Sequence, residues 1–365
     1  MNKVGLNASP CSEYAEFQRF SRKRERISSV TESQKTAASQ DAKMEVQKDR
    51  NRAALRKTFY GRIVRSIVVG FWVMVIAFSL MRFSPGDPVR LALGADVTEE
   101  AVEAFRTQLG LDKPFYVQFW DYFTGILSGD LGYSYFSGRD VTEIIGTHLP
   151  VTLMIIGLSI LFAAVISLPL ALWVATSKSN TVNYMFRALT SVSLAIPGFF
   201  LALLGLLVFG VYFSIAPAAG YEGAFPGNLK YLWLPALANC GSLVPVLSRV
   251  LHSSLVDTLD EEFVETGVIR GVRKSRFYWS YLLRPSLAPT VVLLSYMVGV
   301  MIGGTVIMET IFSLPGIGRE LINAVDGRDY PVVQSIAMIF GLIVVFFSFI
   351  GDLTGYLLDR RVTLS

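Results

Sequence analysis

DTLDEEFVETGVIRGVRKSRFYWSYLLRPSLAP, from Asp257 to Pro289, is a charged and amphipathic stretch set between apolar segments. Thr258 with Glu261 three residues on predicts a capping box, and Asp260, Glu261 and Glu262 crowd what would be a helix N-terminus, where carboxylates are favoured. Leu255, Leu259 and Phe263 recur every fourth residue, with Val264 and Val268 beside them, so one helical face is apolar. Gly271 interrupts the pattern, and a second short helix is expected to carry Phe277, Tyr278, Tyr281 and Leu282 on one face. A helix–glycine–helix element that protrudes from a membrane domain suits a groove on another protein.

The rest of the chain supplies that membrane domain. Of 365 residues, 52% are hydrophobic and 17% charged, and the mean hydropathy is +0.47. This is too apolar for an ordinary soluble domain. Apolar stretches near twenty residues recur, long enough to cross a bilayer as helices. The net charge of +4 does not point to nucleic acid, because the excess lies in a basic tail and in loops that would face the cytoplasm. Cys11 and Cys240 are too far apart in sequence and character to suggest a disulfide framework, and with His148 and His252 they make no metal-ligand spacing.

Residues 1–58 are polar and charged, with RFSRKRER at 19–26, and are expected to form a disordered cytoplasmic tail. No apolar core follows within the first thirty residues, so the tail does not read as a secretory signal. A solvated arm is the preferred reading, and an anchor on anionic lipid or a regulatory arm is the alternative. Residues 59–365 form the membrane domain. Its expected spans run about 63–83, 152–175, 188–213, 231–251, 290–312 and 332–353, six in all. Arg56, Lys57, Arg62 and Arg65 before the first span, and Asp359-Arg360-Arg361 after the last, place both termini inside by the charge rule. The same rule puts the 257–289 loop on the cytoplasmic face.

Between the first two spans lies an external region, 84–150. Asp96 with Glu99 predicts a helix through Leu109, ended by Gly110. The aromatic run Phe115, Tyr116, Phe119, Trp120, Tyr122 and Phe123 suits a helix at the outer headgroup level, with a peptide-binding surface as the alternative. Ile196-Pro197-Gly198 predicts a kink in the third span. Pro235, Asn239, Gly241, Ser242 and Pro245 predict a bent and partly polar fourth span. Irregular backbone at membrane depth is tolerated only against protein or a water-filled cavity, so Pro197, Asn239 and Pro245 are candidate pore-lining or kink residues. Gly299 and Gly303 in the fifth span allow close helix contact, within the subunit in preference to a dimer interface.

The family resemblance rests on three runs in order. Glu265-Thr266-Gly267, three residues and then Gly271 resembles the EAA motif of ABC importer permeases, E-A-A-x3-G-x9-I-x-L-P. Thr266 and Gly267 stand in the alanine places, and Tyr281-Leu282-Leu283-Arg284 follows, with Arg284 in the proline place. Glu309-Thr-Ile-Phe-Ser-Leu-Pro-Gly-Ile-Gly-Arg319 with Arg328-Asp-Tyr-Pro-Val-Val-Gln334 resembles the dipeptide/oligopeptide and nickel branch of that family, as does Ser84-Pro-Gly-Asp-Pro88. The resemblance spans about 60–360. It implies an all-α integral membrane protein with the type I ABC importer permease fold. It also implies cytoplasmic coupling helices carrying Glu265, Thr266, Gly267, Gly271, Leu283 and Arg284. The implied partners are ATP-binding subunits, a second homologous permease subunit and an external solute-binding protein in a bacterial or archaeal cytoplasmic membrane. The implied cargo is peptides, or alternatively nickel, glutathione or another solute of the branch.

No chemistry is expected of the chain itself, nor a cofactor. Gly271-Val-Arg-Lys274-Ser275 lacks the glycine that a phosphate loop places before its lysine. Glu309 and Asp352 fall near opposite ends of spans, where solvation or a local salt bridge is expected. An ion-coupled carrier would place such groups near the midplane. Two other classes stay in view: that carrier, and a non-transport scaffold or enzyme subunit.

Overall fold

A computed structural model of the chain describes residues 61, 63–79, 88–93, 97–217, 220–222 and 225–358. The tail 1–58, the end of the first span, Ser84–Asp87, Asp96 and Asp359-Arg360-Arg361 lie outside the described residues. Two units divide between Val64 and Arg65, and the second holds the helical bundle. Among the described residues the secondary structure is helical, apart from an isolated antiparallel bridge between Tyr133 and Asp140.

The helix α1 spans Ile63–Ser79 and is short and apolar. Small helices follow at Pro88–Leu93 (α2), Glu99–Gln108 (α3) and Phe115–Ser128 (α4). The α3 helix is flanked by Thr98, whose side chain makes no capping bond, and Gly110 at φ +65° turns the chain after it. α4 lies antiparallel along α1. Phe78 meets Phe115 and Phe119 with ring centroids 5.2 Å apart, and Phe71 meets Phe123 at 6.5 Å.

Helix α5, Val141–Thr176, is long because Asp140 caps it early, accepting a bond from the Thr142 amide at 2.6 Å. Its 36 residues reach about 54 Å at 1.5 Å per residue, well beyond the ~30 Å hydrocarbon core. It begins eleven residues before the span expected from apolarity, because Thr142, Glu143, Thr147 and His148 dilute the apolar average even though Val141, Ile144 and Ile145 are buried there. Pro150 and Pro169 lie within it.

The third apolar stretch is two helices, α6 (Asn180–Ala195) and α7 (Gly198–Gly205), with α7 continued by π-helical Leu206–Tyr212. The axes turn by 89° at Ile196-Pro197. Ile196 takes the extended conformation that a following proline favours. The fourth stretch is also a bent pair, α8 (Leu229–Cys240) and α9 (Leu243–Leu259), at 55°. A Cβ on Gly241 at that bend would stand 2.7 Å from the Leu201 Cδ1 atom of α7, so a larger residue could not sit there without displacing Leu201.

The chain then forms α10 (Glu262–Ile269), α11 (Lys274–Arg276), π-helical Phe277–Leu283 and the long α12 (Arg284–Ile311). It continues with α13 (Ile317–Asp326) and α14 (Tyr330–Leu358). Among the described residues, three helical stretches, Val141–Thr176, Lys274–Ile311 and Tyr330–Gly355, are each long and apolar enough to cross a membrane, or five if each bent pair is one span.

The core runs along α5. Ile155 and Val151 pack with Leu232, Leu234, Met308 and Phe312 near one end. Ile156 and Ala163 meet Leu243, Leu247, Val298 and Ile302 farther along. Ala171 meets Leu251, Leu255, Val264, Leu282 and Leu283 at the other end. Large side chains such as Leu161, Val165 and Trp173 stay exposed on the outside of the same helix, as expected where lipid rather than water is the neighbour.

Candidate functional site

The elbow between α9 and α12 is built on that last cluster. Val264 is buried against Leu282 and Leu283, so α10 is bolted by its apolar face to the bases of α5, α9 and α12. Tyr281 stacks on Phe277 with centroids 6.2 Å apart and lies 6.4 Å from the Phe263 ring. Its edge rests on Gly267, where an added Cβ would stand 2.9 Å from Tyr281 Cε1. The glycine in a place where alanine is usual thus makes room for the tyrosine.

At the tip, Gly271 has φ +62°. Its amide donates to the Val268 carbonyl at 3.0 Å and the Val272 amide to the Gly267 carbonyl at 3.2 Å, closing α10 in a left-handed cap. No atom lies within 4 Å of a Cβ built there. Glycine is needed for the backbone angle, not for space.

Beneath the tip is a buried polar bolt. Thr258 Oγ1 donates to the Ser254 carbonyl at 2.7 Å and lies 2.9 Å from Ser286 Oγ, which in turn contacts the Leu282 carbonyl at 2.7 Å. Thr258 therefore does not begin a capping box. It belongs to the last turn of α9, and Glu261, the residue before α10, makes no side-chain cap. The expected second short helix is also different: Phe277–Leu283 runs into α12 without a break, so Leu283 and Arg284 are mid-helical. The elbow has one short arm, α10, and one arm that is the root of a 38-residue helical stretch.

Glu265, Thr266, Gly271 and Arg284 are exposed, while Gly267 and Leu283 are buried. The exposed surface also carries Val268, Ile269 and Trp279, the last two at 79% and 63% exposure. Val268 and Ile269, adjacent in sequence and open beside charged residues at the end of α10, are apolar exposure of the kind that marks an interaction site.

At the opposite ends of the helices, two carboxylates make long-range ties, Glu309 to α13 and Asp329 to the 134–136 loop. Glu309 is fully buried. Its Oε1 accepts from Thr152 Oγ1 of α5 at 2.5 Å, and its Oε2 accepts from the Arg319 amide in the first turn of α13 at 2.9 Å. Thr152 Oγ1 accepts in turn from the Ile317 amide at 2.9 Å. A Cβ on Gly316 would collide with the carboxylate, and one on Gly318 would stand 2.9 Å from it. The Pro-Gly-Ile-Gly sequence thus leaves space for an acid to cap the next helix. Glu309 is neither solvated nor in a salt bridge, contrary to the expectation from its place near a span end, because the α13 amides and Thr152 supply its partners. Asp329, just before α14, instead ties the 134–136 loop to the α13–α14 turn. It is bonded to Ser134 Oγ and accepts from the Tyr135 amide at 3.1 Å.

The candidate pore-lining residues are dispersed. Pro197 occupies the 89° break. Asn239 is 5% exposed; its Nδ2 donates to Ser159 Oγ at 3.4 Å, and a Cβ on Gly304 would collide with its carboxamide. It joins α5, α8 and α12 within the bundle. Pro245 is buried and lines an apolar crevice of about 270 Å³ with Trp173, Phe186 and Val244. Gly299 faces α14, its Cβ position 3.5 Å from Val344 Cγ2, whereas Gly303 faces no atom within 4 Å. Arg249, which the apolar pattern hid, ties α9 to α6 through Thr190 Oγ1 at 2.8 Å and Ser191 Oγ at 2.5 Å.

Residues 167–364 match the family model of the binding-protein-dependent transport system inner membrane component, and residues 55–156 match that of its N-terminal membrane component. The chain belongs to the binding-protein-dependent transport permeases. This permease is 31% identical over 299 residues to a putative peptide permease of Brucella suis, covering 80% of this chain and 94% of that protein. It is 32% identical over 295 residues to a glutathione transport system permease protein of Pectobacterium atrosepticum, covering 81% and 95%. It is 31% identical over 311 residues to a nickel import system permease protein of Staphylococcus aureus, covering 84% and 92%. The chain is accordingly a membrane permease subunit of an ABC importer and not an enzyme. Membership implies an ATP-binding subunit, a solute-binding protein and residence in an inner membrane.

Proposed function

We propose that this permease forms half of a translocation path for peptides, with nickel, glutathione or another solute of the same branch as the alternative, and that the 257–289 elbow is where ATP hydrolysis elsewhere is converted into helix movement. The peptide, glutathione and nickel permeases that it resembles support the cargo class. In this reading α1, α5, α6–α7, α8–α9, α12 and α14 make six spans, both termini and the elbow face the cytoplasm, and a second homologous permease subunit completes the path. The charge of the inner loops supports that orientation.

One observation carries the coupling reading: an exposed tip at Gly271, with Val268 and Ile269 exposed just before it, stands on a buried base that includes the root of α12. A force on the tip passes through the Tyr281–Gly267 contact and the Thr258–Ser286 bond into a helix that crosses the membrane. Closure of two ATP-binding subunits would then tilt α12 between two states, a ligand-biased switch whose ligand sits on another chain. Glu265 is placed to meet a basic residue of that subunit, and Arg284 an acidic one.

The test is co-purification of the ATP-binding subunit with Ile269→Asp and Trp279→Asp variants, whose side chains are exposed and whose fold should survive. Association and ATP-driven uptake should both fall sharply while membrane insertion persists. Normal association and uptake in both variants would remove the elbow from the coupling path. A carrier driven by an ion gradient would keep its uptake when the ATP-binding subunit is absent.

A further inference from the structure

At the end of the bundle away from the elbow, a cavity of about 210 Å³ opens between α4, the turns at 110–113 and 130–132, and the first turns of α14. It is smaller than the ~300–1,000 Å³ usual for drug-sized ligands. Gln334 lines it, and this side chain is only 3% exposed while its Nε2 has no hydrogen-bond partner. A buried amide donor without a partner is rare and calls for an acceptor. Lys113 and Asp121 also line the cavity, their Nζ and Oδ2 atoms 2.9 Å apart and both side chains about half exposed, at 50% and 55%. Asp130, on the same wall, accepts from the Gly132 amide at 2.9 Å. The Asp121 carboxylate raises the Lys113 pKa above its ordinary value through their hydrogen bond, so the ammonium stays charged at any physiological pH.

The place of this cavity in the fold selects among occupants. Gln334 lies in the first turns of Tyr330–Gly355, an apolar stretch able to span a membrane. A membrane crossed by that stretch would have the head groups of one leaflet near this level. Beside the cavity, α1 and α4 run antiparallel and leave Trp72, Tyr116 and Trp120 between 57% and 73% exposed. Such aromatics favour the water–lipid boundary. A polar notch with an ammonium, carboxylates and an unpaired amide, rimmed by apolar side chains, matches a head group of both charges that continues into acyl chains.

We propose that this cavity is a binding site for a zwitterionic, amine-bearing phospholipid of the leaflet away from the elbow. The phosphate lies between Lys113 Nζ and Gln334 Nε2, the ammonium is received by Asp121, and the acyl chains follow the exposed face of α1 and α4. The site rests on the membrane-spanning assignment and not on the elbow, so a failed docking test leaves it standing.

The experiment is native mass spectrometry of the complete importer, full-length chain included, titrated with dihexanoyl phosphatidylethanolamine, dihexanoyl phosphatidylglycerol, glycerophosphoethanolamine and inorganic phosphate. Phosphatidylethanolamine should bind best. Lys113→Ala and Gln334→Leu should each weaken it about tenfold, the loss of roughly one charge-assisted hydrogen bond. Asp121→Asn should remove the preference over phosphatidylglycerol. Trp173→Ala, at an exposed position on the far part of α5, should change nothing. Should Gln334→Leu fail to fold, Lys113→Ala, on an exposed side chain, decides alone. Equal binding in the wild type and Lys113→Ala overturns the proposal. So does tight binding of glycerophosphoethanolamine or phosphate without acyl chains, which would make the cavity a site for a soluble ligand.

Discussion

Replacing Glu309 by alanine should unfasten α13. The carboxylate is fully buried, 2.5 Å from Thr152 Oγ1 and 2.9 Å from the Arg319 amide. Removing it strands the Arg319 amide and leaves Thr152 without the acceptor for its proton. Each unsatisfied buried donor costs about 1–3 kcal/mol, but the Arg319 bond is only partly buried and Thr152 can turn to a backbone carbonyl. A net loss of about 2–4 kcal/mol follows. That is a large fraction of the ~5–15 kcal/mol by which a typical domain is held together. Because the bonds anchor α13 to α5, the loss should be local before it is global. Hydrogen exchange of the complete importer in lipid should show the 316–326 amides exchanging about 30-fold to 1,000-fold faster, the converted form of that energy. Glu309→Gln keeps the volume and one acceptor but turns an NH₂ toward a donor, so it should fall between the wild type and alanine. Unchanged exchange over 316–326 in Glu309→Ala would refute the clamp. So would equal effects on amides of α6, which Glu309 does not touch.

Three further outcomes follow from the packing. Gly267→Leu should lower the unfolding temperature, since overpacking against Tyr281 costs about 1–3 kcal/mol; adding Tyr281→Ala should recover part of that loss, and failure of the rescue would mean that the contact is not the cause. Gly271→Val should cost about 1–2 kcal/mol through its backbone angle, while Gly271→Asn should be nearly neutral in thermal unfolding, because the surrounding space is open. Gly304→Leu should prevent stable folding by striking Asn239, whereas Gly303→Leu should leave the thermal stability of this chain unchanged; a large loss from Gly303→Leu would contradict the open space at that glycine.

What the sequence made legible was periodic or local. The apolar stretches located long apolar helices at Val141–Thr176, Lys274–Ile311 and Tyr330–Gly355, and Pro197 marked the site of an 89° turn. Gly271 marked the turn of the elbow, as its φ of +62° explains. What escaped was partnership across distance. Glu309 finds Thr152 157 residues away, and Asp329 finds Ser134 195 residues away. No spacing within either segment encodes such a pair. Thr258 shows the opposite failure: the local capping pattern was present, but α9 continued through it, and the threonine hydroxyl was taken by Ser254 and Ser286. Arg249 was hidden because one cation hardly alters a long apolar average, yet its guanidinium ties two helices together. The early start of α5 was missed for a related reason, since Thr142, Glu143, Thr147 and His148 lower the average over turns whose Val141, Ile144 and Ile145 are buried.

The most direct test of the coupling reading is a photo-crosslinking residue placed at Ile269, 79% exposed beside the elbow tip, in cells expressing the complete importer. The predicted product joins this chain to the ATP-binding subunit, and its yield changes when ATP hydrolysis is blocked. A crosslink to the solute-binding protein instead, or a residue at Phe136 near the opposite end of the bundle that captures the ATP-binding subunit equally well, would contradict the account.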